Sequence, residues 1–209
     1  MPILCLQRRL IKKGAEADIF LVQWGDLKAI SKVRTPKAYR HPELDGAIRK
    51  QRTVREANFI SSAKRAGVAS PFVYFVDPVN SEIIMEYVDG QNVRDALTPA
   101  LCREMGRYSA LLHANNVMHG DLTTSNFIHD GKRLVLLDFG LAHYSERTED
   151  AATDLRLIKE VFASAHVESR GAFEEFTEEY RSIAGKKRTD MILENVREIE
   201  QRGRYARIT

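Results

Sequence analysis

The residues best suited to chemistry lie in one polar loop and just after the apolar segment that follows it. The loop runs from His119 to Asn126 and contains Asp121, and Asp138-Phe139-Gly140 follows the apolar residues 134–137. Carboxylate and amide oxygens are the ligands that Mg²⁺ prefers, and phosphoryl transfer needs charge neutralised and groups aligned more than it needs covalent help. The spacing predicts Asp121 as a catalytic aspartate near the acceptor, with Asn126 and Asp138 as Mg²⁺ ligands.

A cation on the phosphates is the next requirement of this chemistry. Lys32 lies in a predicted strand over residues 28–33, where it shares one face with Ile30 because side chains alternate with a period of two. We expect Ile30 to cover adenine and Lys32 to reach phosphate. The carboxylate partner of Lys32 should come from the following helix, where Glu56 is the preferred candidate and Glu43 the alternative.

Two further segments are predicted to contact the nucleotide through the main chain. Gly14 and Ala15 lie between the first two predicted strands, where backbone amides can approach phosphates. Met85, Glu86 and Val88 end a later strand and are expected to bind adenine through main-chain groups. Side-chain identity matters little in such a segment, so the alternative is an ordinary strand end.

Apolar periodicity and turn residues predict the elements that must position these residues. Strands are expected at 3–11, 17–23, 27–33, 72–76 and 82–88, with one long helix at about 43–65. Thr98-Pro99 predicts the start of a helix that continues to His113. A hairpin with Asp130-Gly131 at its tip follows the polar loop, and further helices are expected around 155–165, 171–182 and 189–202.

Composition excludes several classes of protein. The 209 residues are 44% hydrophobic and 29% charged, which suits two small lobes around one site rather than a disordered chain. A net charge of +3 is too small for a protein that coats nucleic acid along its whole length. Cys5 and Cys102 suggest neither a disulfide framework nor a zinc site. Without an apolar run of membrane-spanning length or a signal-peptide layout, we expect a soluble, cytoplasmic protein with no membrane partner.

The loop at 119–126 and the triplet at 138–140 resemble the catalytic loop and metal-binding triplet of protein kinases. The resemblance implies ATP and Mg²⁺ as cofactors, and an α+β, minimal bilobal protein-kinase-like fold. The expected N-terminal lobe, residues 1–90, has an antiparallel sheet and one long helix. The expected C-terminal lobe, residues 91–209, is truncated and mainly helical.

Over nearly its full length the chain resembles a narrower family, the small atypical kinase subunit of the KEOPS (EKC) complex, or PRPK family. The match rests on Gly14–Ala17, Tyr39–Asp45, Arg52-Thr53 with Glu56-Ala57, His119–Asn126, Asp138–Leu141, Glu149-Asp150 with Asp154-Leu155, and Arg202–Tyr205. It implies Ser/Thr phosphorylation and ATP hydrolysis in support of threonylcarbamoyladenosine formation in tRNA. The implied partners are the catalytic threonylcarbamoyl-transferase subunit and other KEOPS subunits. Within this family pattern, Lys32, Glu56, Asp121, Asn126 and Asp138 hold the roles given above.

Departures from ordinary protein kinases favour this narrower family. Gly120 replaces the arginine that usually receives an activation-loop phosphate, so control by such a phosphate is not expected. Thr123 replaces a lysine that usually faces the transferring phosphoryl group, which predicts slow peptide phosphorylation. No Ala-Pro-Glu segment follows Gly140, so a partner protein is expected to complete the site.

Two other functions compete with this interpretation. Small-molecule kinases of the aminoglycoside or choline type share the His-Gly-Asp loop, but they need a helical insert for which this chain has no room. A pseudokinase scaffold would have no reason to keep Lys32, Asp121, Asn126 and Asp138 together. The acceptor, water or a protein hydroxyl, stays open. The basic stretches 34–55 and 197–207 suit either solvated surface charges or contact with a partner, with the chain's own nucleotide site or with tRNA.

Overall fold

The computed structural model describes residues 8–205 of the protein, without the side chains of residues 203–205. Cys5, most of the first predicted strand and the end of the basic tail lie outside the described part. The chain divides into two compact units. The first comprises the described residues up to Ser61 together with Pro71–Asp89, and the second comprises Ser62–Ser70 together with the described residues from Gly90 onward.

The first unit is an antiparallel sheet with one long helix. Its elements are β1 (Arg9–Lys13), β2 (Ala17–Trp24), β3 (Leu27–Arg34), α1 (Pro42–Arg65, whose last turn belongs to the second unit), β4 (Val73–Asp77) and β5 (Glu82–Glu86). The strand order is β1-β2-β3-β5-β4, and every pair is antiparallel. The last predicted strand is two residues too long, because pairing with β3 stops at Glu86.

The two faces of this sheet have different compositions. One face carries a small apolar core of Val22, Ala29 and Ile84, against which Phe20, Trp24, Tyr74 and Phe75 pack. The other face of β3 carries Ile30, Lys32 and Arg34, because side chains alternate along a strand. In register, Ile30 lies opposite Met85, and opposed residues of an antiparallel pair share a face. The hydrophobic packing of one face therefore leaves the other face free to carry charged groups.

The beginning of α1 is fixed by a buried aspartate. Asp45 accepts hydrogen bonds from Arg49 Nε at 2.6 Å and from the Lys37 N–H at 3.3 Å, and it forms an ion pair with Arg40 at 3.5 Å. The hydrogen bond from Arg49 is the main reason that the pKa of Asp45 lies below its usual value. Arg49 also donates to Ser81 Oγ at 3.3 Å in the turn before β5. Asp45 thus holds Arg49, which links α1 to the turn before β5.

The second unit is mainly helical. Its elements are β6 (Gln91–Asn92), α2 (Pro99–Ala114), β7 (Val117–Met118), β8 (Phe127–His129), β9 (Leu134–Leu136), β10 (His143–Tyr144), α3 (Thr148–Ala165), α4 (Ala172–Ala184) and α5 (Lys186–Tyr205). Thr98 caps α2 as its sequence predicts, accepting from the Leu101 N–H at 3.3 Å. α5 starts three residues before the predicted position, since only Gly185 separates it from α4.

Short strands and a buried helix frame the polar loop. β8 pairs with β6 and β9, and β7 pairs with β10. Tyr108 of α2 donates to the Leu134 carbonyl of β9 at 2.8 Å, which joins the helix to the hairpin. The predicted α+β class, with an antiparallel sheet and a helical second part, is confirmed. No helix within residues 8–205 combines the length and apolarity needed to cross a membrane.

The contact between α2 and α4 depends on a glycine. A Cβ on Gly106 would lie 2.1 Å from the Phe176 carbonyl oxygen, closer than any real contact. Gly46, the matched control in α1, has nothing within 4 Å of its would-be Cβ. We expect Gly106→Ala to lower the free energy of unfolding by about 2 kcal/mol through overpacking. Gly46→Ala should raise it by about 0.5–1 kcal/mol through helix propensity. Urea unfolding measures both, and a Gly106→Ala protein as stable as wild type would contradict this close approach.

Candidate active site

The first part of the candidate site is an ion pair inside the first unit. Lys32 Nζ lies 2.6 Å from Glu56 Oε1, and the two side chains are only 8% and 1% exposed. Lys32 comes from β3 and Glu56 from α1, so the pair joins sheet and helix. The structure places Glu56 beside Lys32, whereas Glu43 lies exposed at the start of α1.

A second cation contacts the same carboxylate. Arg34 Nη2 lies 2.5 Å from Glu56 Oε2, and the Arg34 side chain is 5% exposed. Sequence reasoning counted Arg34 only as part of a basic stretch. A signal was nevertheless present, because Arg34 is two residues after Lys32 and therefore shares its face of the strand.

The loop before β2 contains an internal hydrogen bond and is also bound by residues from other parts of the first unit. The Gly14 N–H donates to the Ala17 carbonyl at 3.1 Å, so this amide is engaged within the turn. The Ala15 carbonyl accepts from Lys37 Nζ, and Glu16 pairs with Arg52 at 2.9 Å. The structure thus occupies one of the two amides that the sequence assigned to phosphate binding.

The segment predicted to contact adenine combines an apolar position with an occupied amide. Ile30 and Met85 lie opposite each other in the β3–β5 register and so share a face. The Glu86 N–H donates to the Phe72 carbonyl at 2.7 Å, and Val88 is buried beyond the end of β5.

Many residues of the first basic stretch are already paired within the first unit. Asp45 contacts Arg40 and Arg49, Glu16 contacts Lys37 and Arg52, and Glu56 contacts Arg34. These ion pairs give the stretch a role in the fold. The tail differs, because Arg202 pairs with Glu198 at 3.0 Å while 66% exposed.

The polar loop of the second unit brings Asp121 and Asn126 together. Asn126 Nδ2 donates to Asp121 Oδ2 at 2.9 Å and to the Asp121 carbonyl at 2.8 Å. These two bonds fix both side chains and leave Asn126 Oδ1 as an oxygen ligand. Among the described residues, Oδ1 of Asp121 has no hydrogen-bond partner, so it can accept a bond from another molecule.

His119 connects this loop to the segment that carries Asp138. Its ring is fully buried, with Nε2 3.0 Å from the Leu137 carbonyl and Nδ1 3.3 Å from the Asp121 N–H. A carbonyl on one side and an N–H on the other assign the proton to Nε2. The ring also contacts Phe139 edge to face, with 5.0 Å between centroids. Sequence reasoning gave His119 no role of its own.

Asp138 has an unusual backbone conformation. Its φ is +55°, in the left-handed region that residues with a Cβ rarely adopt, and Oδ1 accepts from the Gly140 N–H at 3.2 Å. Just before it, the Leu137 N–H donates to the Asn126 carbonyl at 2.8 Å. Such strain persists only where the surroundings hold it in place, and it is common at ligand sites.

A buried carboxylate on α3 holds the whole loop. Asp154 Oδ2 accepts from the His119 N–H at 2.7 Å, and Oδ1 accepts from the Gly120 N–H at 2.8 Å. His113 Nε2 lies 3.2 Å from Oδ2, and its Nδ1 lies 2.9 Å from Tyr180 Oη. Burial acts to raise the pKa of Asp154, but the hydrogen bonds from the His113 ring and the His119 N–H outweigh it, so this pKa lies below its usual value.

This network also gives a role to His113 and to Asp154, which the sequence alone did not. Burial raises the pKa of Tyr180, so its hydroxyl stays protonated and can donate to His113, which in turn donates to Asp154. His113 is therefore a buried link in the network. Asp154 itself was noted only as part of the family resemblance.

Gly120 is required by the approach of the chain after Asp138. Its φ is +78°, and a Cβ there would lie 2.7 Å from the Leu141 carbonyl oxygen. An arginine at this position would displace that segment. The absence of the usual arginine thus has a steric reason in this structure.

The donor set suits a hard cation. Asn126 Oδ1 and the Asp138 carboxylate are oxygen ligands, and Mg²⁺ usually takes one or two protein ligands and completes its shell with water and substrate phosphates. No group of three or more His, Cys, Asp or Glu in the described part of the chain could hold a metal ion. The residues therefore fit Mg²⁺ bound together with a nucleotide.

Similar proteins place these observations in a family. The chain is 42% identical to the KEOPS complex subunit Bud32 of Pyrococcus abyssi, over 94% of this chain and 96% of that protein. The chain belongs to the Bud32 family. The predicted resemblance to the KEOPS kinase subunit is thereby confirmed. No family model matches the chain.

Other relatives of the Bud32 family are longer proteins. The chain is 40% identical to a probable bifunctional tRNA threonylcarbamoyladenosine biosynthesis protein of Methanobrevibacter smithii, over 96% of this chain. A protein of the same description from Methanocaldococcus jannaschii is also 40% identical over 96% of this chain. The chain spans 37% of the length of each of these two proteins.

Solved structures identify the fold. The Rio2 kinase of Chaetomium thermophilum, in its ADP/Mg²⁺-phosphoaspartate complex, matches with a TM-score of 0.68 over 90% of this chain and 65% of that chain. A second Rio2 kinase structure from the same organism matches with a TM-score of 0.64. Sequence identity is only 16% and 15%, so the likeness concerns the fold. The protein-kinase-like fold predicted from the sequence is confirmed.

Removing the Asp154 charge should loosen the loop. We expect Asp154→Asn to lower the free energy of unfolding at pH 7 by about 3 kcal/mol, since an amide cannot accept both backbone N–H bonds. Because the folded pKa of Asp154 is depressed, its contribution is present above the unfolded value and is lost as the pH falls through the folded pKa. The difference between wild type and variant should therefore shrink below about pH 4.

Urea unfolding between pH 3 and pH 7 measures this effect. The matched control is Asp190→Asn, whose carboxylate forms an exposed pair with Arg181 and should change stability by less than about 0.5 kcal/mol. Equal losses in the two variants would show that Asp154 does not hold the loop.

Proposed function

We propose that this protein is an ATP-dependent phosphotransferase and ATPase of the KEOPS type, using Mg²⁺. The observation that carries the proposal is the oxygen-donor set of the second unit. Asp121 and Asn126 are bonded to each other, and Asp138 is held in a strained conformation after a buried strand. The Lys32–Glu56 pair of the first unit supports it, because a buried, oriented lysine is the usual cation for nucleotide phosphates.

The proposed roles follow from the contacts of each residue. Lys32, oriented by Glu56, binds phosphate oxygens. Asn126 and Asp138 hold Mg²⁺, which neutralises phosphate charge and aligns the leaving group. Asp121 orients the acceptor through Oδ1, since its other oxygen is engaged by Asn126. Ile30 and Met85 offer an apolar surface to adenine, with Glu86 and Val88 beside it, and the loop at Gly14 and Ala15 covers the phosphates.

The acceptor in this proposal is water or a Ser/Thr hydroxyl. Asp121 can orient either, because both donate an O–H to a carboxylate oxygen. Thr123 lacks the cation that ordinary Ser/Thr kinases place near the transferring group, which favours hydrolysis over rapid peptide phosphorylation. We therefore propose ATP hydrolysis as the main activity and Ser/Thr phosphorylation as a slow one.

The names of the relatives support a place in tRNA modification. The Pyrococcus protein is named as a KEOPS subunit, and the longer relatives are named for threonylcarbamoyladenosine biosynthesis. We propose that this chain works beside a catalytic threonylcarbamoyl-transferase subunit and other KEOPS subunits in the cytoplasm. Contact of the basic tail with tRNA is part of this proposal.

Two substitutions test the chemistry. Asp121→Asn should keep Mg²⁺-dependent ATP binding and lower turnover about 100- to 1000-fold, the usual loss when one well-placed electrostatic group is removed. Asp138→Ala should abolish the Mg²⁺ dependence of binding. Calorimetry and phosphate release measure the two quantities, and Asp26→Asn in the exposed β2–β3 turn is the control. Normal Mg²⁺-dependent turnover of Asp138→Ala would refute the metal assignment.

The partner assignment has its own test. ATP turnover is measured for wild type and Asp121→Asn, alone and with the transferase subunit added. Stimulation that is absent from Asp121→Asn is the expected result. Equal rates with and without the subunit, together with phosphate transfer to protein, would instead indicate an autonomous Ser/Thr kinase.

A further inference from the structure

We infer that Arg34 is a positioning residue that keeps Glu56 in place while Lys32 binds phosphate. The inference rests on the proposed function, in which Lys32 contacts the nucleotide. Its basis is a carboxylate shared by two buried cations: Glu56 contacts Lys32 through Oε1 at 2.6 Å and Arg34 through Oε2 at 2.5 Å.

The two contacts use separate oxygens. Lys32 and Arg34 are two residues apart on β3 and point to one face, where α1 presents Glu56. When Lys32 moves towards a phosphate, a lone Glu56 would lose its cation. With Arg34 on the other oxygen, the carboxylate keeps a charge-assisted bond, so the helix does not need to move.

Stability alone does not account for the presence of Arg34. Its Nε is buried and has no hydrogen-bond partner among residues 8–205, and an unpaired buried N–H is unfavourable. Burying an arginine also costs more than burying an apolar side chain of similar size. Arg34 is buried despite these costs, and its guanidinium contacts Glu56. This combination fits a role in holding the Glu56 carboxylate.

The backbone of Arg34 is bound to Ser81, the same residue that binds α1 through Arg49. The Arg34 N–H donates to the Ser81 carbonyl at 3.0 Å, and Ser81 Oγ accepts from Arg49 at 3.3 Å. Arg49 in turn is bound to Asp45 at the start of the helix, at 2.6 Å. Sheet and helix are thus also joined on the N-terminal side of Glu56, which gives Arg34 a fixed point from which to act.

Because Lys32 and Arg34 share one carboxylate, substituting Glu56 should destabilise the protein more than substituting either cation. Glu56→Gln deprives two buried cations of their carboxylate, whereas Lys32→Met and Arg34→Met each leave one neutral pair. We expect Glu56→Gln to raise the unfolding equilibrium constant about 100-fold or more, and each methionine variant to change it less than about tenfold. In a simple lysine–glutamate pair, either deletion would leave one uncompensated charge. Urea unfolding of the whole chain without nucleotide measures these constants.

A second measurement separates positioning from a structural role. At a temperature where all variants are folded, Arg34→Met should raise the Kd and the KM for Mg²⁺-ATP about tenfold and leave kcat within about threefold. Arg34→Lys, which keeps a charge near Glu56, should recover part of this loss. In the Glu56→Gln background, Arg34→Met should have little further effect, because its partner is already gone.

These outcomes decide the inference separately from the proposed function. Equal destabilisation by Lys32→Met and Glu56→Gln, or additive effects of Arg34→Met and Glu56→Gln on ATP affinity, would overturn the role of Arg34. Absence of ATP binding and turnover in the wild type would refute the proposed function, and with it the role of Arg34 towards ATP, whereas the stability order would still establish the shared carboxylate.

Discussion

A carboxylate removed from water must keep its hydrogen-bonding partners, and the candidate site depends on two side chains under this constraint. Glu56, 1% exposed, joins β3 to α1 through Lys32 and Arg34. Asp154, 2% exposed, joins α3 to the polar loop through the N–H groups of His119 and Gly120. Leaving such a group unpaired costs several kcal/mol, so each carboxylate fixes segments that are distant in sequence. The residues proposed to act on ATP are therefore positioned by groups that need not touch it.

Local patterns explain why much of the fold and many of the candidate site residues could be predicted from the sequence. The Asp138 segment follows a strand signal, and the cap at Thr98 and the apolar stripe of α2 depend only on neighbouring residues. The contacts that the sequence did not reveal are non-local: Asp154 binds N–H groups 34 and 35 residues earlier. A partial signal existed, because Asp154 lies in the buried stripe of α3 with Ala151 and Ile158, where an aspartate needs partners. Similarly, strand alternation could have separated Arg34 from the exposed basic residues around it.

Backbone conformation was the least predictable feature of the site. Nothing in the residue pattern indicated that Asp138 would adopt a φ of +55°, because aspartate enters this region only occasionally. Here the His119 ring binds the Leu137 carbonyl and the Leu137 N–H donates to the Asn126 carbonyl, so both backbone polar groups of the residue before Asp138 are held. Gly120 completes the arrangement by leaving room for Leu141. The loss of an arginine, which the sequence alone presented as a missing regulatory contact, is here also a steric requirement.

The two carboxylates have a common consequence for regulation. Switching in protein kinases requires an element with two stable positions, commonly the helix that carries the glutamate. In this protein that helix is tied to the sheet by Glu56 and by Arg49 on Ser81, and the polar loop at 119–126 is tied to α3 by Asp154. Moving either the helix or the polar loop would break buried charge-assisted bonds, whereas moving an exposed loop would not. We therefore expect turnover to be controlled through the acceptor or through a bound partner, and not through movement of either carboxylate.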